Sequence, residues 1–474
     1  MTLPGGAGGD GAGSAADGAA RSAAERAGEG SAAESAGDGG AAGTAPPAGR
    51  VVRLAASAFV VLAAEPIFLL VDTAVVGHLG RVALAGLGAG GTLMGLLAIV
   101  GTTLAYGTTG RAARWFGAGQ RDRAVGEGVQ ASWLALLIGG AGVLAGQLLA
   151  PWATRLIAGD GAVADAAESW LRIAVLGLPG ILLVFAGNGW LRGVQDTRTP
   201  VVVVVIANVV SAAASPVLVY PVGLGLEGSA WANVVAQWLG GGLCLWALVR
   251  ERVPMTPQWS VMRRQLLVSR DLVVRAGAFQ VAFLTAAAVA GRAGAAQLAA
   301  HQVGLQLWNL AALLLDSFAI AAQSLVGAAL GSGDVGAAKA TAWRVGRFGL
   351  VAGVAFAGVF GLAWFVVPAV FTDDDAVRGQ LGVLWPFLVA MVPIGGVVFA
   401  LDGVLLGAGD NAFIRNVTVG SALLGFVPVT VAAAVFGWGL AGVWAGLAVF
   451  IAVRFAGMTW RTRSGVWARV GTSI

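Results

Sequence analysis

Carboxylates inside apolar segments are the first residues of this sequence that could do chemistry. Glu65 and Asp72 interrupt the stretch LAAEPIFLLVDTAVVGHLG at 62–80, which is otherwise almost entirely apolar and long enough to cross a bilayer. A charged carboxylate at membrane depth is costly unless it is paired or hydrated, so it is usually functional. Asp72 is therefore predicted to bind a coupling cation, H⁺ or Na⁺; the alternative is a structural hydrogen bond to a neighbouring helix.

Glu65 precedes Asp72 by seven residues, which places both on one face of a helix. Glu65 is assigned to the substrate cavity, as a second titrating group or as a ligand of a cationic substrate. The alternative is that Glu65 and Pro66 mark a kink, where the carboxylate caps freed backbone amides.

Two other apolar segments carry uncharged polar groups at helical spacing. Their oxygens could ligate Na⁺ or hold water for a proton relay, so they are assigned to the cation-coupling site with Asp72. Ordinary interhelical hydrogen bonds, worth about 1 kcal/mol each, are the alternative. These residues are Asn208, Ser211 and Ser215 in one segment and Asn233 and Gln237 in the next.

A polar stripe follows one face of a later apolar segment, nearly all at steps of three, four or seven residues. The stripe comprises Gln302, Gln306, Asn309, Asp316 and Gln323. It is predicted to line a substrate cavity, with Asp316 as the partner of a cationic group. Asp316 could instead pair with another helix, for example with Arg275.

Gln280 and Asp402, also in apolar segments, are assigned to the same substrate cavity. Asp402 corresponds to Asn188 in the first half of the chain, at a shift of 214 residues. A structural role for Asp402 is the alternative.

Several kinds of site are not expected. Two histidines, His78 and His301, and one cysteine, Cys244, are too few for a histidine or cysteine metal centre. The segment GLGAGG at 86–91 lies in an apolar span with no strand before it, so it does not indicate a nucleotide site. No Walker A or HExxH pattern occurs. We expect no enzyme activity, no cofactor and no nucleic-acid or nucleotide partner.

Composition identifies the elements that hold these residues. The chain of 474 residues is 58% hydrophobic and 11% charged, where soluble domains have roughly 25% charged residues. It is therefore an all-α integral membrane protein in contact with the lipid bilayer. Twelve apolar runs are long enough to span, and they centre near residues 66, 96, 139, 180, 209, 239, 282, 312, 355, 393, 425 and 449.

Arginines predict the orientation of these spans. With the N-terminus inside, 24 of the 29 lysines and arginines, including Arg275 and Arg454, fall in inside segments. Both termini are therefore predicted to be cytoplasmic, in a multi-pass protein of the cell's inner (plasma) membrane.

The two halves of the chain repeat at the shift of 214 residues. This shift takes FGAGQRDRAV (116–125) to LGSGDVGAAK (330–339) and GLEGSAWA (225–232) to GLAGVWAG (439–446). Six spans per repeat is an even number, so the two halves have the same orientation. An axis along the membrane normal is predicted to relate them, with the substrate path between them.

Five regions follow from the spans and the composition. A Gly/Ala/Ser-rich segment without bulky apolar residues cannot form a core, so the N-terminal segment is predicted to be a disordered cytoplasmic tail. The regions are the tail 1–50, a first lobe 51–250, a cytoplasmic linker 251–271, a second lobe 272–460 and a cytoplasmic tail 461–474.

Several long motifs resemble a known transporter family. AAEPIFLLVDTAVVGHLG at 63–80, GWLRGVQDTRTP at 189–200 and FALDGVLLGAGD at 399–410 resemble the multidrug and toxic compound extrusion (MATE) family, in particular its DinF-like branch. The resemblance extends from about residue 50 to the C-terminus. It implies a V-shaped pair of six-helix lobes and an antiporter that exports organic, cationic or amphipathic compounds in exchange for H⁺ or Na⁺.

The resemblance also concerns individual residues. It implies that Asp72 is the cation-coupling carboxylate, with Na⁺ as a candidate ligand. Ser211 and Ser215 stand where the family's fifth helix often carries an Asn and an Asp, and Ser57 stands where a proline often bends the first helix.

Two other functions are alternatives to the exporter. A flippase for a lipid-linked precursor would need a cavity lined by several arginines or lysines, whereas here only the loops are predicted to be strongly basic. A membrane enzyme would need a catalytic constellation, which the sequence does not show.

Overall fold

The computed structural model describes residues 43–472, and in this part of the chain it contains helices and no strands. Twelve helices are long and apolar enough to cross a membrane, as predicted. They are α1 (Ala48–Gly77), α2 (Arg81–Gly117), α3 (Arg121–Ala158), α4 (Ala162–Gly193), α5 (Thr199–Val219), α6 (Gly225–Arg250), α7 (Trp259–Ala293), α8 (Ala295–Gly331), α9 (Val335–Ala363), α10 (Asp375–Gly407), α11 (Asn411–Phe436) and α12 (Gly439–Ser464).

Two of these helices contain irregular turns. A 3-10 turn at Val175–Gly177 interrupts α4, and a π-helical turn at Ser421–Phe426 interrupts α11. The short helix Val367–Phe371 lies between α9 and α10. Leucines such as Leu148 and Leu424 on the outer surface are largely exposed, as expected for a lipid-facing surface.

Helix α7 begins inside the range predicted as the linker 251–271. Residues 259–271 form a helix because their pattern is amphipathic: Met262 and Gln265 are buried, whereas Arg263 and Arg264 are exposed. The predicted tail 1–50 lies outside the described residues up to position 42, and α1 already begins at Ala48.

The structure confirms the internal repeat through matching helix contacts. Gly189 packs against the backbone of Ala105, and the shift of 214 residues takes this pair to Gly403 and Ala319, which pack in the same way. The contact of Gly139 with Pro179 likewise recurs as Gly353 with Pro393. Because a side chain at any of these glycines would overlap the neighbouring backbone or proline ring, the two lobes share one packing scheme. Helices α1–α6 form the N-lobe and α7–α12 the C-lobe.

A pseudo-twofold axis passes between α2 and α8. Gly117 lies against the carbonyl oxygen of Ala328, and Gly331 lies against that of Arg114. The same shift relates the two halves of this contact to each other. Both glycines are at the ends of their helices, so the lobes meet on the face of the bundle where even-numbered helices end. We call this side the terminal face, and the other side the opposite face.

Arg114 joins the lobes at the terminal face. Its side chain is buried and donates from Nη2 to the carbonyl oxygen of Ala408 in the C-lobe, at 2.7 Å. From Nη1 it donates to the carbonyl oxygens of Arg469 and Gly471 in the C-terminal tail. These contacts hold the two lobes together and close the terminal face.

The segment before α1 also contacts the C-lobe. The backbone N–H of Gly43 donates to Asp334, which also caps α9 by accepting from the N–H of Ala337. These backbone donors hold the pKa of Asp334 below its usual range. Asp334 therefore stays ionised at neutral pH, and this contact weakens only as the pH falls through that lowered value.

The expected placement of Arg275 and Arg454 in inside loops is wrong. Arg275 lies near the middle of α7, and Arg454 is buried within α12. Both are tolerated in apolar surroundings because they share an ion pair with Asp402.

Substituting Gly117 tests the closure of the terminal face. We expect Gly117→Ala to destabilise the protein by about 1–3 kcal/mol, because its methyl group would overlap the backbone of Ala328. Gly126→Ala in α3 is the control, since nothing lies near its added methyl group. Thermal unfolding of both purified variants checks the prediction, and equal melting temperatures would contradict it.

Candidate functional site

Asp72 lies in a polar pocket of the N-lobe, near the opposite face. Its side chain is 2% exposed, and its Oδ1 accepts a hydrogen bond of 2.9 Å from Ser215 Oγ in α5. Ser229 in α6 also lies beside the carboxylate, and Trp170 Nε1 donates to Ser229 Oγ at 3.0 Å. Helices α5 and α6 therefore position hydroxyl oxygens around a buried carboxylate of α1.

Two further oxygens lie one helical turn deeper on the same helices. Ser211 precedes Ser215 by four residues and Asn233 follows Ser229 by four, so each pair shares a helix face. Ser211 Oγ and Asn233 Oδ1 are shielded from solvent and have no hydrogen-bond partner among residues 43–472. Buried polar atoms normally have partners, so these two oxygens are available to water or a cation.

The other predicted coupling residues do not join this contact. Asn208 and Gln237 are half-buried, and within the described residues no hydrogen bond joins either to Asp72. The structure thus brings Asp72 and Ser215 into contact, with Ser211 and Asn233 nearby. Ser229 is not among the predicted residues, although its spacing of four from Asn233 is a signal that could have found it.

Glu65 is accessible, although protein atoms surround it at this level of α1. Its side chain is exposed and makes no hydrogen bond in the described part of the chain. A residue that protein surrounds and solvent still reaches lies on the wall of an open cavity. Helix α1 stays helical through Pro66, and Ser57 Oγ donates to the carbonyl oxygen of Thr197 at 2.7 Å.

The polar stripe of α8 faces away from the core of the C-lobe. Gln302, Gln306 and Asn309 are exposed, whereas His301 and Trp308 on the other face of the helix are buried. The exposed residues point toward the space between the lobes, because the continuation of their stripe reaches the N-lobe. Gln280 of α7 is exposed and has no hydrogen bond to the stripe among the described residues.

Asp316 and Gln323 continue the stripe to the interlobe contact. Asp316 accepts a hydrogen bond from the Tyr106 hydroxyl of α2, and Gln323 donates to the backbone carbonyl oxygen of Tyr106. Both bonds cross from one lobe to the other. They form the floor of the interlobe space on the side of the terminal face.

Asp402 lies buried within the C-lobe. Its Oδ2 accepts from Arg454 Nη2 at 2.6 Å and from Arg275 Nη2 at 2.9 Å. Arg275 therefore pairs with Asp402 and not with Asp316, although it lies within electrostatic range of Asp316. Asp402 holds an ion-pair network and does not line an open wall.

The histidines do not take part in either cluster. His301 is buried, and its ring lies 6.1 Å from that of Trp444 in an edge-to-face arrangement. His78 contacts the carbonyl oxygen of Ala74 at the end of α1. Among the described residues, no group of three or more His, Cys, Asp or Glu could hold a metal ion.

Comparison with protein families decides what kind of molecule carries this site. Residues 57–217 and 275–431, one block in each lobe, match the MatE family. The chain belongs to the MATE family of transporters. Its two matched blocks correspond to the two halves of the internal repeat.

Individual MATE proteins are similar over most of the chain. Protein DETOXIFICATION 44, chloroplastic, of Arabidopsis thaliana is 33% identical over 88% of this chain and 83% of its own length. DNA damage-inducible protein F of Escherichia coli (strain K12) is 31% identical over 85% of this chain and 90% of its own. A crystal structure of a MATE protein in the bent conformation has a TM-score of 0.82 at 20% identity, over 88% and 95% of the two chains.

Proposed function

We propose that this MATE protein is a secondary exporter that moves small organic compounds in exchange for H⁺ or Na⁺. The observation that carries the proposal is the buried Asp72 carboxylate beside hydroxyl groups of two other helices. A carboxylate in that setting changes its charge when it binds a cation, and the helices around it then prefer a different packing. Alternating opening of the two faces would convert that preference into transport.

The donor atoms support either coupling ion. Asp72, Ser215, Ser229, Ser211 and Asn233 offer oxygen atoms, which are the ligands that hard cations such as Na⁺ prefer. The same oxygens could hold the water through which a proton reaches the carboxylate. We therefore propose exchange at Asp72 without assigning the ion.

The space between the lobes is the proposed substrate cavity. The floor formed by Tyr106 and Asp316 closes it toward the terminal face. The exposed Glu65 and the polar stripe of α8 provide its polar walls. Glu65 and Asp316 would attract the cationic group of an amphipathic compound, which fits the multidrug resistance protein NorM of Thermotoga maritima, a relative of 24% identity.

Vesicles with separately imposed gradients test this proposal. Purified protein in proteoliposomes should transport a fluorescent organic cation such as ethidium when a pH gradient or a Na⁺ gradient is imposed. Protein-free vesicles and vesicles without a gradient are the controls. Transport that neither gradient accelerates would contradict coupled export.

The interior arginines keep a flippase for a lipid-linked precursor as a second candidate function. Arg192, Arg275 and Arg454 lie in helices and not in loops, contrary to the expectation that only the loops are basic. Guanidinium groups bind phosphates strongly. Competition between ethidium and a polyprenyl pyrophosphate for the purified protein separates the two functions, because a flippase would bind the pyrophosphate and not the dye.

We also propose that the terminal face is cytoplasmic, in the inner membrane. Cysteine labelling tests this after the buried Cys244 is replaced by serine. An impermeant maleimide should label Asp160→Cys, between α3 and α4, on intact cells. It should label Ser332→Cys, after α8, only once the membrane is permeabilised, and the reverse pattern would contradict the orientation.

A further inference from the structure

An excess of positive charge lies where the two lobes meet. Arg192 of the N-lobe and Arg275 and Arg454 of the C-lobe lie around the carboxylates of Asp316 and Asp402. Three guanidinium groups face two carboxylates in a region between membrane-spanning helices. An uncompensated cation is costly there, so this arrangement favours a further anion.

The hydrogen bonds show which arginine side chains lack a partner. Arg275 and Arg454 both bind the same oxygen of Asp402, and the Nε atoms of both remain unpaired and shielded. The Arg192 side chain makes no hydrogen bond or ion pair among the described residues, and its Nε is also shielded. Asp316 does not compensate Arg192 by contact, because its carboxylate accepts the Tyr106 hydroxyl.

Access to the cluster differs between its members. Arg454 and Asp402 are almost completely buried, and the Arg454 guanidinium lies 4.7 Å from the ring centre of Phe279. Arg275 keeps 16% of its side chain accessible, and Arg192 is half-buried. An incoming group would therefore meet Arg192 on one lobe and Arg275 on the other.

We propose that Arg192 and Arg275 form a subsite for the carboxylate of a transported organic compound. A guanidinium group presents parallel N–H donors that match the two oxygens of a carboxylate. A compound that carries both a cationic and an acidic group would place the acid here and its cation near Glu65. The subsite rests on the proposed export function and adds an acidic group to its substrates.

The two lobes contribute unequally to this subsite. The 214-residue shift takes Arg192 to Leu406, and the position that corresponds to Arg454 is Gly240. The internal repeat therefore does not duplicate the subsite. Because Arg192 and Arg275 belong to different lobes, a bound carboxylate would bridge them.

Binding of a matched pair of dyes tests the subsite. The probes are tetramethylrhodamine with a free carboxylate and its methyl ester, measured by fluorescence polarisation with purified protein in a neutral detergent. We expect Arg192→Gln to weaken binding of the acid about tenfold and to leave the ester unchanged. The exposed Arg198→Gln, at the start of α5, is the control and should change neither.

Two results would overturn the subsite. One is equal weakening of acid and ester by Arg192→Gln, which would indicate a general loss of structure. The other is wild-type protein that binds the acid no more tightly than the ester, a measurement that stands even if the variant does not fold. Binding needs no ion gradient, so a failure of coupled export would leave this result intact, and the reverse also holds.

Discussion

Replacing Asp72 by asparagine is expected to abolish ion-driven export. Asparagine preserves the size of the side chain and can still accept from Ser215, but it cannot lose or gain a proton or balance the charge of Na⁺. Gradient-driven transport of ethidium should fall to the rate of protein-free vesicles. Binding of ethidium to the purified variant should persist, because Asp72 lies in the N-lobe pocket and not on the wall of the interlobe cavity.

Asp165→Asn is the matched control for this substitution. Asp165 is exposed in the first turn of α4, so removing its charge should leave driven transport unchanged. If the Asp72 variant kept more than half of the wild-type driven rate, the coupling role would be wrong, even though the family assignment would stand.

Replacing Asp402 by asparagine is expected to have the largest effect on stability. The substitution leaves Arg275 and Arg454 without a counter-charge inside the C-lobe. Breaking a buried ion pair by removing one partner typically costs about 3–5 kcal/mol, much more than an exposed pair contributes. The free energy of unfolding in detergent should fall by about that amount.

An exposed aspartate and a second-site change sharpen this test. Asp373→Asn removes the exposed partner of Arg378 and should change stability by about 0–1 kcal/mol. Adding Arg454→Gln to Asp402→Asn should restore part of the lost stability, because one uncompensated cation is removed. Equal effects of Asp402→Asn and Asp373→Asn would contradict a structural role for the buried network.

Periodicity and composition are sufficient to predict the fold. Apolar runs of bilayer length predict the twelve spans, and the recurrence of motifs at one shift predicts two equivalent lobes, as the matching contacts of Pro179 and Pro393 confirm. Helix ends are harder to predict, because charged residues such as Arg263 and Arg264 lie on the exposed face of a continuing helix. A charged stretch beside a span therefore does not by itself mark a loop.

The candidate site is predictable where a single residue type stands out from its surroundings. Asp72 is identifiable because few structural roles require a carboxylate in an apolar helix. Its contact with Ser215 agrees with the placement of that serine by family resemblance. The contacts of Arg275, Arg454 and Tyr106 are not predictable from sequence, because they depend on how α7, α12 and α2 are oriented against the C-lobe core.

The central claim is that organic compound and cation exchange through one carrier with Asp72 as the cation site. Its most direct test is the ion flux that accompanies substrate. In proteoliposomes that hold a pH or Na⁺ gradient, adding ethidium should dissipate the gradient of the coupling ion with wild-type protein and leave it unchanged with Asp72→Asn. Dissipation of equal rate in both proteins, or in neither, would contradict exchange at Asp72.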